Sequence, residues 1–176
     1  MLGPKTKKNL EDAFAGESMA RNKYDYFASA FRKAGYEQIA NIFSETALNE
    51  KEHAKLWAKQ LEMISTDLPS DLKAAIEGEN YENTTMYPRM EAEALEEGHA
   101  EIAKLFHEVG EVEKQHEARY KKLLANLENG EVFKKPEIKK WKCLNCGAIY
   151  EGTEPPKVCP TCNHAQGYFE IWVETY

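Results

Sequence analysis

Residues 34–61 lie over residues 97–124 without a gap, and this internal repeat restricts the chain more than any other feature. Gly35 falls on Gly98, Ile39 on Ile102, Ala40 on Ala103, Phe43 on Phe106, Glu45 on Glu108, Glu50 on Glu113, His53 on His116 and Leu61 on Leu124, with Trp57 on Tyr120. Upstream, Gly16-Glu17 lies over Gly78-Glu79, one residue out of the register in which Tyr24 meets Tyr87. Each copy carries Glu-x-x-His, and on a helix residues three apart share a face. The repeat unit is therefore a helical hairpin, and two such hairpins packed face to face form a four-helix bundle. That packing would direct Glu17, Glu50, Glu79 and Glu113, with His53 and His116, toward one pseudo-symmetric centre.

The apolar periodicity supports four helices. Leu10, Ala13, Phe14, Ala20, Tyr24, Phe27 and Phe31 repeat at about 3.6 residues behind a candidate cap at Thr6. Ala34-Gly35 stops that helix. The second carries Ile39, Ile42, Phe43, Thr46, Glu50, His53, Trp57, Leu61 and Ile64 on one side, and Ser65 to Ser70 breaks the pattern. A third helix, capped by Ser70 or Asp71, uses Leu72, Ala75, Ile76, Glu79, Glu82, Met86 and Met90, and Pro88 predicts a kink or break inside it. Gly98 closes the third helix, and the fourth runs through Ile102, Leu105, Phe106, Val109, Glu113, His116, Tyr120, Leu124 and Leu127 to Asn129-Gly130.

An acidic residue inside an apolar stripe is costly unless it is paired or bound to a cation. A pair with Arg21 would be the bland account of Glu17. Six candidate ligands in register favour a metal, and an oxygen-rich set with some imidazole suits iron or manganese. Di-iron bundles take one Glu from each of two helices and Glu-x-x-His from the other two, which here are Glu17, Glu79, Glu50/His53 and Glu113/His116. Glu82 breaks the symmetry: it lies one turn beyond Glu79, where the first hairpin has Ala20. It is either a solvated residue or a fifth carboxylate available to one metal. His99 and His107 fall off the stripe and read as exposed.

All four cysteines lie near the C-terminus, as Cys143-x-x-Cys146 and Cys159-x-x-Cys162. Paired knuckles concentrated in this way read as a tetrahedral thiolate metal site rather than as a disulfide framework. Spacing alone leaves the metal open: zinc would make an inert ribbon, iron a one-electron carrier. His164 is close by, but four thiolates complete a tetrahedron, so it reads as a surface residue. Strand-like pieces at Trp141–Cys143 and Phe169–Val173 flank the knuckles, after a Lys-rich linker from Gly130 to Pro136. The expected organisation is a helical domain over 1–134 and a small β-rich four-cysteine domain over 135–176.

The formal net charge of −7 argues against nucleic acid as a partner. No stretch has the ~18 uninterrupted apolar residues of a membrane span. Met1 to Lys8 lacks the apolar core of a signal peptide, so a cytoplasmic location is expected.

Phe14-Ala15-Gly16-Glu17-Ser18-Met19-Ala20-Arg21, Glu45-Thr46-Ala47 through Glu50-Lys51-Glu52-His53-Ala54, Glu79-x-x-Glu82 followed by Met86-Tyr87-Pro88, Glu113-x-x-His116 and the four-cysteine tail together resemble the rubrerythrins over nearly the full chain. The resemblance implies a ferritin-like four-helix bundle with a rubredoxin-like domain. It implies that Glu50 and Glu113 bridge two irons, that Glu17 and Glu79 are terminal ligands, and that His116 binds one iron. The other iron would exchange Glu82, when oxidised, for His53, when reduced. Tyr24 and Tyr87, core residues by position, would hydrogen-bond to the ligand carboxylates, and Tyr150, Trp141 and Phe169 resemble rubredoxin's aromatic shell. One iron is then expected on Cys143, Cys146, Cys159 and Cys162, with zinc able to substitute.

The expected activity is a peroxidase reducing hydrogen peroxide to water in defence against oxidative stress, with Glu82, Tyr24 and Tyr87 near the bond that breaks. Its electrons would come from an upstream donor such as a rubredoxin or a flavin NAD(P)H reductase. The tail begins far from the ligands along the fourth helix, and the resemblance implies a head-to-tail homodimer in which one subunit's tail lies near the other's bundle. Two alternatives stand beside it: a ferroxidase or iron-sequestering protein using oxygen, with a structural zinc ribbon, and a non-enzymatic zinc-ribbon module on a helical scaffold. The last leaves the doubled ligand set unexplained.

Overall fold

The computed structural model describes residues 2–175, which are mainly helical and end in a small antiparallel sheet. They form two compact units, Met1–Thr66 and Asp67–Tyr176. In the first, α1 (Pro4–Lys33) and α2 (Glu37–Gln60) pack as a hairpin. The turn between them works as expected: Gly35 adopts φ +84°, and Tyr36 N–H reaches back to the Phe31 carbonyl at 3.0 Å. That closure needs the left-handed conformation, which glycine adopts without a Cβ penalty. The α1 cap differs from expectation. Pro4 opens the helix behind Gly3, two residues before Thr6, because proline's fixed φ suits the first turn and its missing N–H is not needed there.

The second unit repeats the hairpin with one insertion. α3 (Leu68–Tyr81), a π-helical turn (Glu82–Met86) and α4 (Tyr87–Glu96) form one interrupted helix, which packs against α5 (Ala100–Glu128). Asp67, not Ser70 or Asp71, caps α3; its carboxylate accepts the Ser70 N–H at 3.2 Å. In the π turn, Tyr87 N–H bonds to the Glu82 carbonyl five residues back. The π turn takes up one extra residue, and this is why Glu79 matches Glu17 at an offset of 62 while Tyr87 matches Tyr24 at 63. The break expected from Pro88 is thus present, placed in the turn before it. Gly98, at φ +83°, closes α4 as Gly35 closes α1, and Gly130 ends α5.

The lines that hold each hairpin together are made of small residues. In α2 the buried positions are Ala40, Ala47, Ala54 and Ala58; in α5 they are Ala103, Gly110 and Glu117, each 63 residues after Ala40, Ala47 and Ala54. Spacings of seven and four keep them on one stripe. Within each hairpin by itself, the large apolar residues are not the buried ones. Ile39, Ile42, Ile102 and Leu105, on the side that carries the ligands, are exposed, Leu105 to 64%.

The tail folds on three strands, β1 (Lys139–Cys143), β2 (Ile149–Gly152) and β3 (Phe169–Ile171), in the order β2-β1-β3. β2, which the sequence reading passed over, pairs Trp141 with Tyr150, while β3 pairs Trp141 with Ile171. Among the described residues no helix is long and apolar enough to cross a membrane.

A Cβ at Gly110 would sit 3.2 Å from the Tyr87 Cβ, tighter than ordinary van der Waals contact. Gly110→Val should therefore push α4 from α5 and cost about 1–3 kcal/mol, a loss that thermal unfolding followed by circular dichroism would register as a fall of several degrees. An unchanged transition would show that the seam tolerates a wider approach.

Candidate metal centres

Three of the expected ligands meet in each hairpin. On the first, Glu17 projects from α1 and Glu50 and His53 from α2; on the second, Glu79 projects from α3 and Glu113 and His116 from α5. His53 Nδ1 lies 2.8 Å from Glu50 and 3.7 Å from Glu17. His116 Nδ1 lies 2.7 Å from Glu113 and 3.6 Å from Glu79. In each triad one ligand atom from every residue lies within 4.8 Å of the other two, near enough to share a cation. The ion-pair neighbour of Glu17 is His53, and no Arg21 pair with it is among the ion pairs of the described residues. The structure thus assembles the six residues as two matching triads.

The second triad has neighbours that the first lacks. Burial above all, then a hydrogen bond shared with Glu113 and the charges of Glu113 and Glu82, raises the Glu79 carboxyl above its ordinary range, against the pull of His116. Tyr87 is raised too, by burial first and then by the charges of Glu82, Glu113 and Glu79. The phenol is held protonated beside three carboxylates. Tyr24 instead packs in an aromatic cluster, 5.8 Å from Phe43 and 6.3 Å from Phe27 between ring centroids. Carboxylates this close repel one another unless a cation sits among them. The donor set of each triad, two carboxylates and one imidazole, fits iron.

Glu117 is a site residue that the sequence reading missed. Its side chain is buried, with the residue only 7% exposed, and it accepts hydrogen bonds from Asn80 at 3.0 Å and Asn83 at 3.1 Å. Lys121, then Asn83, holds its carboxyl below the usual range. By tying α5 to α3 immediately after His116, it fixes the helix on which the imidazole stands. The signal was present in the repeat, where Glu117 falls on Ala54, an acid on a stripe of small residues.

The four cysteines converge from two knuckles. Gly147 (φ +78°) and Asn163 (φ +59°) turn the backbone back, so that Gly147 N–H bonds to the Cys143 carbonyl and Asn163 N–H to that of Cys159, both at 2.8 Å. Sγ atoms of Cys143 and Cys162, and of Cys146 and Cys159, stand 3.7 Å apart. A tetrahedron with metal–sulfur bonds of ~2.3 Å has edges of about 3.8 Å, so the cage has the dimensions of a metal site and not of disulfides. Trp141, Cys143, Cys159 and Phe169 form its buried core, with Tyr150 packed against them. The Trp141 indole N–H donates to the Gly152 carbonyl at 2.9 Å. His164, expected at the surface, is half-buried: its ring sits 4.5 Å from that of Tyr168, and its Nδ1 lies 3.1 Å from the Cys162 carbonyl. His99 and His107 are exposed as expected, and His107 pairs with Glu91 at 3.2 Å.

The chain matches the family model described as Rubrerythrin over residues 8–124. It belongs to the rubrerythrin family. A second model, the rubredoxin-like domain of rubrerythrin, matches the chain over residues 141–170. A rubrerythrin of Clostridium perfringens is 47% identical over 192 aligned positions, covering 100% of this chain and 98% of that protein. One from Porphyromonas gingivalis is 47% identical over 186 positions, covering 99% and 93%. A nigerythrin structure in a partially reduced state is 31% identical, covers 98% of this chain and 88% of that one, and gives a TM-score of 0.37. The alignment of 192 positions against a chain of 176 residues means that the C. perfringens protein carries at least 16 residues with no counterpart here.

Glu117→Ala leaves the amides of Asn80 and Asn83 without their acceptor in a half-buried seam, at a cost of about 1–3 kcal/mol. Because the Glu117 carboxyl is depressed on folding, its contribution is present above the ordinary carboxylate range and is lost as pH falls through its folded value. Urea titrations should therefore show the wild type and Glu117→Ala differing at pH 7 and converging in acid. A difference independent of pH would assign the effect to packing alone.

Proposed function

We propose that this rubrerythrin-family chain is a peroxidase that reduces hydrogen peroxide to water at a non-haem di-iron site, fed with electrons by its four-cysteine iron centre, in oxidative-stress defence. What supports the reading most is one chain carrying both a doubled carboxylate–imidazole set and a thiolate cage of metal-site dimensions. A storage site has no use for a one-electron carrier. Reduction of one hydrogen peroxide to two waters takes two electrons and two protons. Two ferrous ions held by Glu17, Glu50, Glu79 and Glu113 with His53 and His116 would supply the electron pair, and iron in the cage of Cys143, Cys146, Cys159 and Cys162 would restore it one electron at a time.

The protein's own groups manage charge and protons. Glu50 and Glu113, each beside its own histidine, would hold the irons together with Glu17 and Glu79. Glu82 opens the π turn, where the hydrogen-bond ladder is re-spaced, so its carboxylate can approach or leave the metal position with little rearrangement of the rest of the helix. His53 would be its exchange partner. Tyr87, kept protonated by its surroundings, holds a proton against the carboxylates and can donate it as the O–O bond breaks. Tyr24 takes the matching place in the first hairpin.

In this reading the helical domain covers 1–134 and the four-cysteine domain 135–176. Asn129, the residue that caps the end of α5, lies thirteen residues beyond His116, about 20 Å along the helix axis, and a homodimer would let electrons pass between subunits instead. A rubredoxin or flavin NAD(P)H reductase is the upstream donor, and the protein acts in the cytoplasm.

Stopped-flow spectroscopy of the fully reduced, iron-loaded protein tests this directly. Mixing with peroxide should oxidise the iron pair rapidly and recolour the thiolate centre, with oxygen far slower. Glu82→Ala, which makes the second hairpin resemble the first at Ala20, should load iron yet slow the peroxide reaction by about a hundredfold. Faster reaction with oxygen, or a tail that never changes colour, would point to the ferroxidase.

A further inference from the structure

Glu117 is a buried acid that the proposed chemistry leaves unused. Both of its oxygens are occupied: Oε1 accepts from Asn80 at 3.0 Å and pairs with Lys121, and Oε2 accepts from Asn83 at 3.1 Å. It is not a member of the second triad, although it directly follows His116. Its role therefore lies in the groups it holds. Asn80 directly follows Glu79, and Asn83 directly follows Glu82, so each partner of the acid stands next to a carboxylate of the metal centre.

Asn83 also serves the turn itself. A side-chain amide carries two hydrogens, and besides Glu117 this one reaches the Glu79 carbonyl at 2.7 Å. Thr84 Oγ1 donates in the same way to the Asn80 carbonyl at 2.6 Å. These side chains supply donors where the π turn re-spaces the backbone ladder. The turn is then fastened to α5 at both ends: at its opening through Asn83 to Glu117, and at its close through Tyr87, packed against Gly110. The first hairpin lacks the acid. Ala54 stands at the place of Glu117, and Ser18, at the place of Asn80, turns its hydroxyl back to the Phe14 carbonyl of its own helix. A tie between α3 and α5 would need only Asn80; the second amide, inside the π turn, is what links the acid to Glu82.

We propose that Glu117 is a positioning residue for Glu82: by gripping Asn83 at the opening of the π turn it fixes the backbone there, so that the Glu82 carboxylate shifts at the metal centre by side-chain rotation alone. A buried carboxylate suits this task, because hydrogen bonds to a charged acceptor are stronger than those between neutral groups and its removal strands both amides. The inference rests on Glu82 being a ligand of the proposed di-iron site.

Amide hydrogen exchange of the full-length wild type and Glu117→Gln, as isolated, tests the hold on the turn. Glutamine keeps the volume of the side chain but turns one acceptor into a donor. Exchange in residues 82–87 should rise about tenfold while residues 103–112 of α5 keep their wild-type rates. Unchanged exchange in the turn, or a rise spread over both segments, would overturn the proposal. Asn83→Ala, which removes the grip and leaves the acid, should reproduce the local rise and serves in place of a Glu117→Gln that fails to fold. The link to Glu82 is read from the midpoint potential of the bundle iron in Glu117→Gln, Glu82→Ala and the double variant. Glu117→Gln should shift the potential, and the double variant should shift no further than Glu82→Ala alone; additive shifts would mean that the acid acts on another ligand, against the proposal. A potential unmoved by Glu82→Ala removes the ligand reading itself, and the exchange rates then decide the hold on the turn by themselves.

Discussion

Carboxylates set on helix faces otherwise built of isoleucine, phenylalanine and leucine repel one another and lose solvation when those faces close, and a shared cation offsets both costs. This constraint explains why the ligands come as triads. Each histidine stands within 3 Å of the glutamate three residues before it, and each hairpin adds one glutamate from its other helix. The raised carboxyl of Glu79, driven by burial and by Glu113, is the signature of that crowding. Everything around the triads, from the seam to the caps, keeps these side chains at a fixed level on their helices.

The seam achieves this with small residues. Ala40, Ala47 and Ala54 on α2, and Ala103 and Gly110 on α5, allow close helix approach, and the larger apolar groups are left for the ligand side. Gly110 is the closest point, where Tyr87 fills the space a Cβ would need. Glu117 replaces the last alanine of this line with a buried carboxylate satisfied by Asn80, Asn83 and Lys121, so the two hairpins are fastened differently although their triads match. The asymmetry continues in the π turn, which carries Glu82 and sets the register of Tyr87. The half of the repeat that departs from symmetry is also the half that gathers additional ionisable groups near its ligands.

The sequence reached the ligands because metal chemistry leaves a mark that periodicity makes visible: glutamate and histidine at i and i+3, twice, on stripes that should have been apolar. It also reached the cysteine cage, since two Cys-x-x-Cys knuckles specify a tetrahedron almost by themselves. It did not reach the line of small residues that each hairpin buries within itself. Ile39, Ile42, Ile102 and Leu105 look like core to any apolar count, whereas the hairpin's own interior is the alanine line, because close helix approach selects for small volume and not for hydrophobicity. Caps were misplaced for a local reason as well. Pro4 and Asp67 start their helices before the hydroxyl groups that seemed to mark them.

The chain's sequence by itself determined its family, its helices, the donor atoms of both metal centres and the length of the connection between the hairpins, all of which are written in residue type and spacing. Only the tertiary structure decided how the one-residue register slip is absorbed, which residues form the seam, and that Glu117 is buried and His164 half-buried. Those outcomes depend on distances between residues far apart in the chain, Asn80 to Glu117 or Tyr87 to Gly110, and such distances follow from packing rather than from any local pattern.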